Sequence, residues 1–206
     1  MKRRILIIAA IVGFISTGSF AQDRLKMELG YNLSAPLGSL KSDYIGNTSF
    51  RGFTGDISYA INPKFSLGLN AGYQSYYQKY GRQLYKTGDN ETTSAVVTNT
   101  LEAVPFLVRG TYFPMGGSQA IQPYISAGAG INVVNHTQYL GEFGDSDISF
   151  PLAAQAGAGV VIPLGRILRE SAFKVGATYN YAAYNKNNLK NISSVGANAG
   201  IVFSLR

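Results

Sequence analysis

From residue 25 onward the chain alternates. Leu25, Met27, Leu29, Tyr31 and Leu33 fall on one side of an extended segment, with Lys26, Glu28, Gly30, Asn32 and Ser34 on the other. A period of two belongs to a strand, whose successive side chains point to opposite faces. The pattern recurs in seven later segments: about 50–61, 64–78, 99–113, 120–135, 150–163, 173–181 and 194–206. Asn62-Pro63-Lys64 and Pro114-Met115-Gly116-Gly117 mark tight turns between them. The register of 99–113 is the least clean. Placing Val104, Phe106, Val108 and Tyr112 on the apolar face keeps Arg109 off it. The connections alternate in length, short after the second, fourth and sixth segments. Longer polar connections cover 34–49, 79–98, 136–149 and 185–193. An even number of antiparallel strands with short turns at one end and long loops at the other predicts a transmembrane β-barrel.

Glycine decides which face looks inward. Gly30, Gly52, Gly68, Gly72, Gly128, Gly130, Gly157, Gly159, Gly176, Gly196 and Gly200 share the polar face, whereas Gly55 and Gly110 lie on the apolar one. An eight-stranded barrel is only wide enough for side chains to fill it, so residues without a Cβ relieve crowding on its concave face. The polar face is therefore expected to line the bore and the apolar face to meet lipid. Tyr59, Phe65, Tyr112 and Phe173 near the turns, and Tyr31, Phe53, Tyr73, Tyr77 and Tyr181 near the loops, fit two interfacial belts.

Residues 1–21 read as a signal peptide. Lys2, Arg3 and Arg4 precede an apolar run from Ile5 to Ile15, which is shorter than the ~20 residues of a spanning helix. Ser19 and Ala21 suit cleavage between Ala21 and Gln22, which leaves 22–206 as the barrel domain. Removal of the three cations lowers the formal net charge from +7 to +4. The remaining Lys and Arg are scattered singly, which gives no stripe for nucleic acid. The 206 residues contain no Cys and a single His, which excludes disulfides and thiolate metal sites and leaves few metal or triad designs. No cofactor is expected.

The signal segment, the eight strands and the stretch Leu101-Glu102-Ala103-Val104-Pro105-Phe106-Leu107-Val108-Arg109 resemble the small outer-membrane β-barrel proteins of Gram-negative bacteria. That group includes the OmpA transmembrane domain and OmpX, and the Leu-Glu-x-x-Pro stretch is similar to its PorT-like branch. Such barrels often end in Phe, whereas this chain ends Ile201, Phe203, Leu205, Arg206. The resemblance implies structural, adhesive, pore or lipid-modifying roles. It also implies outer-membrane lipid, lipopolysaccharide and the barrel-insertion machinery as partners, with the chain a monomer.

Lys26, Glu28, Asp56, Arg109 and Lys174 are the charges placed deep in the bore. Buried charges are costly unless paired, so a salt-bridge network that plugs the lumen is expected; the alternative is a narrow pore for small solutes. Lipid A-modifying catalysis is disfavoured. His136 is expected to be a solvated loop residue, with no Ser close by in sequence to serve as its nucleophile. Glu142, Asp145 and Asp147 could offer oxygen ligands, but the spacing is not that of an EF-hand and a solvated acidic loop is expected. Specificity is expected in the four long loops, which carry Tyr77, Tyr80, Tyr85, Tyr139 and Phe143.

Overall fold

The computed structural model describes residues 24–86, 92–116, 121–140, 143–164, 171–186 and 189–205; the signal segment and the Ala21/Gln22 junction lie outside these. The strands are β1 (Leu25–Leu37), β2 (Ser49–Asn62), β3 (Phe65–Lys79), β4 (Gln83–Lys86), β5 (Thr92–Ala95), β6 (Val97–Tyr112), β7 (Gln122–Leu140), β8 (Phe143–Ser149), β9 (Leu152–Pro163), β10 (Ser171–Lys186) and β11 (Leu189–Ser204). A separate antiparallel hairpin, β4–β5, rises from the second long connection. The others form one antiparallel wall. It runs β6-β3-β2-β1-β11-β10-β9-β7 and closes through β6–β7. Strands β8 and β9 are one line in a common register against β7, pairing Val134 with Ser149 and Ile131 with Leu152. Between them lie Phe150 and Pro151. The barrel therefore has eight staves, as the alternation predicts.

The facing is also as predicted. Leu29, Ile57, Leu69, Val108, Ile125 and Ile201 are exposed on the outer wall. Glu28, Asp56, Asn70, Arg109, Thr111, Lys174 and Thr178 are buried inside. A surface of this kind has its natural solvent in hydrocarbon, and closure leaves no strand edge unpaired there. The expected aromatic rings Tyr31, Phe53, Tyr59, Phe65, Tyr112 and Phe173 lie exposed on the outer face.

The strand ends differ from the expectation. β7 runs on to Leu140, β10 reaches Lys186 and β11 resumes at Leu189, so the stretches 136–149 and 185–193 are largely strand hairpins, not loops. The physical reason is that alternation reports lipid contact. Asn135, His136, Thr137 and Gln138 have no apolar outer face to satisfy. The hydrogen-bonded ladder nevertheless continues past the level at which alternation stops.

Leu69→Arg places a charge on the lipid face and should cost about 2–4 kcal/mol in urea unfolding from lipid vesicles. Ser94→Arg, on the exposed β4–β5 hairpin, should stay within about 0.5 kcal/mol of the parent.

Candidate functional site: the closed lumen

The inward register of four strands brings four charges together. Arg109 of β6 lies 2.9 Å from Glu28 of β1 and 3.0 Å from Asp56 of β2. Lys174 of β10 lies 2.7 Å from the same Glu28 oxygen. The Glu28 contacts are charge-assisted hydrogen bonds, in which both cations donate to Oε2. The Asp56 contact is an ion pair without hydrogen-bond geometry, since Asp56 Oδ2 has no hydrogen-bond partner. Two anions thus meet two cations, and the cluster is neutral.

Glycines stand beside it. Arg109 is flanked across the wall by Gly68 and Gly128, and Lys174 by Gly200. The Lys174 ammonium also stands 4.4 Å over the ring of Tyr124, a cation–π contact. The Tyr124 hydroxyl lies over Gly159 and Gly176, and a Cβ on Gly176 would come within 2.3 Å of it. Gly159 and Gly176 thus accommodate the Tyr124 side chain, whereas Gly68, Gly128 and Gly200 lie closest to neighbouring backbone.

Below the cluster a vestibule of about 340 Å³ opens among Asn62, Ser66, Thr111, Gln122 and Ser204. Lys26 differs from the expectation. It lines this vestibule as an exposed residue, and none of the ion pairs among the described residues includes it. The last turns of a strand at a barrel mouth face water even when their register points inward.

Above the cluster the interior is polar and almost full. Asn70 donates to Thr54 Oγ1 at 3.0 Å, and Gln155 to Asn180 Oδ1 at 2.8 Å. Gln74 donates to Ser49 Oγ at 2.7 Å, and the Ser34 and Tyr76 hydroxyls meet at 2.7 Å. A space of only about 60 Å³ remains among these side chains.

The outer mouth is closed by the first long connection. Gly38, at a φ of 57° that suits glycine, turns the chain off β1. Residues Leu40–Tyr44 then form a single π-helical turn, with Ile45 N–H donating to the Leu40 carbonyl at 2.8 Å. Leu40 and Ile45 are fully buried, in one cluster with Leu101, Val134, Tyr184, Leu189 and Ile192. Tyr44 donates to the carbonyls of Thr137 (2.9 Å) and Thr100 (3.3 Å). Its own carbonyl accepts from Asn99 Nδ2 and the Tyr80 hydroxyl, each at 3.0 Å. Burial, with the neighbouring Tyr184, raises the Tyr44 phenol well above its ordinary range.

His136 is not the solvated residue that its position in sequence suggests. It is buried and stacks on Tyr44, with ring centroids 4.4 Å apart. Its burial follows from the docked segment above it. Among the aromatics expected in the loops, Tyr77 lies in β3 and Tyr139 in β7, both exposed, whereas Tyr80 holds the plug in place. The side chains of Tyr85 and Phe143 lie outside the described set, as do Glu142 and the side chain of Asp145. Asp147 accepts from Lys186 at 2.9 Å across the outer rim. Among the described residues no group of three His, Cys, Asp or Glu is placed to hold a metal.

The docked plug is the feature that alternation does not reveal. A signal for it does exist. The inward positions change from charged and small at Glu28, Arg109 and Gly128 to apolar at Leu101, Val134 and Ile192. An apolar inner face above the membrane needs an apolar partner, and Leu40, Tyr44 and Ile45 are the bulky apolar side chains between β1 and β2.

The model of the outer membrane protein beta-barrel domain matches residues 7–203. The chain belongs to that family. Its place is the outer membrane. The barrel is similar in fold to neisserial surface protein A, at 16% identity and a TM-score of 0.56, covering 88% of this chain and 97% of that one. It also resembles Ail, the attachment invasion locus protein of Yersinia pestis, solved in complex with the heparin analogue sucrose octasulfate. That match has 15% identity and a TM-score of 0.49, with 87% of this chain and 98% of that one covered. No curated protein matches the sequence.

In this outer-membrane barrel, Arg109→Ala leaves Asp56 buried without a cation and Glu28 with Lys174 alone. It should cost about 3–5 kcal/mol by urea unfolding in vesicles, and Asp56→Asn added to it should recover part of the loss. Gly176→Ala should cost about 1–3 kcal/mol by overpacking. Tyr124→Phe in the same chain should restore only part of it, because the new methyl meets the Ala158 carbonyl as well as the hydroxyl.

Proposed function

We propose that this outer-membrane barrel is a sealed, non-catalytic protein whose role is structural or one of recognition at the cell surface. The observation that carries the reading is closure at two levels. A neutral ion cluster spans the bore, and the Leu40–Ile45 segment fills the outer mouth. An eight-stranded wall leaves little bore to begin with. What such a molecule presents to the outside is its surface: the β4–β5 hairpin, the β7–β8 hairpin and the exposed side chains of Tyr139, Ile148 and Phe150. Lipopolysaccharide beside the outer rim and the insertion machinery during assembly are the partners this reading implies, with the barrel a monomer.

The non-catalytic part rests on His136. Its imidazole is taken up by packing on Tyr44, within a buried apolar cluster and away from the lipid surface. A general base must reach a nucleophile beside the substrate. His136→Ala is accordingly expected to leave lipid A unchanged and to loosen the plug.

Planar-bilayer recording on refolded protein tests the closure. The parent should give no stepwise current, and replacing residues 39–46 by a short glycine linker should remain silent because the ion cluster still stands. Joined to Arg109→Ala and to Gln74→Ala and Gln155→Ala in the polar layer between them, the same replacement should produce discrete openings. Steps from the parent protein would overturn the sealed reading in favour of a narrow pore for small solutes.

A further inference from the structure

The vestibule below the ion cluster takes no part in closing the bore, and its wall is sorted by chemistry. From stave to stave, Thr111 of β6, Ser66 of β3, Ser58 of β2, Lys26 of β1 and Ser204 of β11 line a continuous arc. Every member of that arc offers a hydroxyl or an ammonium. The facing arc is largely apolar. Val202 of β11, Ala172 of β10 and Val161 of β9 border the same space, with Phe113 beside them. Gln122 of β7 and Ser171 of β10 are the polar members on that side.

Lys26 sits within the polar arc, and the ladder sets Ser58 opposite it on one side and Ser204 on the other. Directly opposed residues hold their Cβ atoms ~4.5–5.5 Å apart, so the ammonium and both hydroxyls can close on one anionic group. Among the described residues, none of these three side chains is engaged in a hydrogen bond or an ion pair. The charge around the space is also uneven. Lys26, Arg109 and Lys174 line it against Glu28 and Asp56, and because the floor cluster is neutral the excess positive charge belongs to Lys26. A concave wall with an excess of one sign concentrates ions of the other. The cavity of about 340 Å³ falls at the lower end of the ~300–1,000 Å³ typical of small-molecule sites. With the ion cluster as its floor it is a dead end, entered and left by the mouth at the short turns, which in such barrels face the periplasm.

We propose that the vestibule is a binding site for a small organic acid taken from the periplasmic side: its carboxylate accepts from Lys26, Ser58 and Ser204, and its apolar body lies against Phe113, Val161 and Val202. The donor set and the excess charge select the carboxylate. The apolar arc selects what the carboxylate is attached to, and the volume limits its size. The site lies at the end of the barrel opposite the surface hairpins, so it adds a periplasmic ligand to a protein otherwise read from its outer face.

Fluorine NMR of para-fluorobenzoate with the refolded barrel in nanodiscs, referenced to empty nanodiscs, tests this. Para-fluorobenzamide serves as the neutral probe of the same shape. The acid should show saturable broadening, and the amide should bind about tenfold more weakly, because a charge-assisted contact is lost. Lys26→Gln should bring the acid down to the level of the amide, and Lys26→Arg should keep it near the parent. Lys26 is exposed, so both variants should retain the amide-proton spectrum of the folded wall. Ala172→Phe, which fills the apolar side, should weaken both probes. Inorganic phosphate, with charge but no apolar body, should not displace the acid at equal concentration. Equal binding of acid and amide by the parent would overturn the proposal, as would acid binding that survives Lys26→Gln or yields to phosphate. Current through the bore does not enter these readouts, so the result is independent of whether the sealed reading holds.

Discussion

Everything in this molecule answers to one constraint: a wall surrounded by hydrocarbon must pair its own backbone. That requirement closes eight staves into a ring and fixes which residues point to lipid. Once closed, so narrow a ring has too little interior for large side chains at every inward position. The interior is therefore divided. Tyr124 takes space that Gly159 and Gly176 yield, and Arg109 and Lys174 stand opposite Gly68, Gly128 and Gly200, which lie close against neighbouring backbone. Charge neutrality is the second condition, because an unmatched ion inside would be far more costly than the pair.

Much of this could be read from the residues alone, for a reason that can be located. Within the membrane, lipid outside and a crowded bore inside impose opposite demands on neighbouring positions, so Leu67-Gly68-Leu69-Asn70 or Ala127-Gly128-Ala129-Gly130 has essentially one reading. Even the ambiguous β6 register follows from Arg109, which tolerates only the inner face. The cluster of Glu28, Asp56, Arg109 and Lys174 was accessible in the same way, although Lys26, one turn of the pattern nearer the mouth, lies outside it.

Beyond the lipid the two demands lapse, and with them the legibility. Water satisfies either face, so β7 and β10 continue through polar sequence that reads as loop. The docked segment is harder still, since its partners Leu101, Val134, Tyr184 and Ile192 come from β6, β7, β10 and β11, and only the closed ring gathers them. His136 depends on that gathering. Its burial is a property of the assembled mouth and of no local stretch of chain.

The sequence positions in the ion cluster carry a last consequence. Glu28 belongs to the first strand, Arg109 to the middle of the chain and Lys174 to the penultimate strand, while the first strand finds its final neighbour in the last. An incomplete sheet entering a bilayer would hold these ions apart and carry them unneutralised into an oily medium. Their mutual cancellation arrives only with the closing seam. The cluster thus works as a completeness check, favouring the fully wrapped molecule over every partly wrapped precursor.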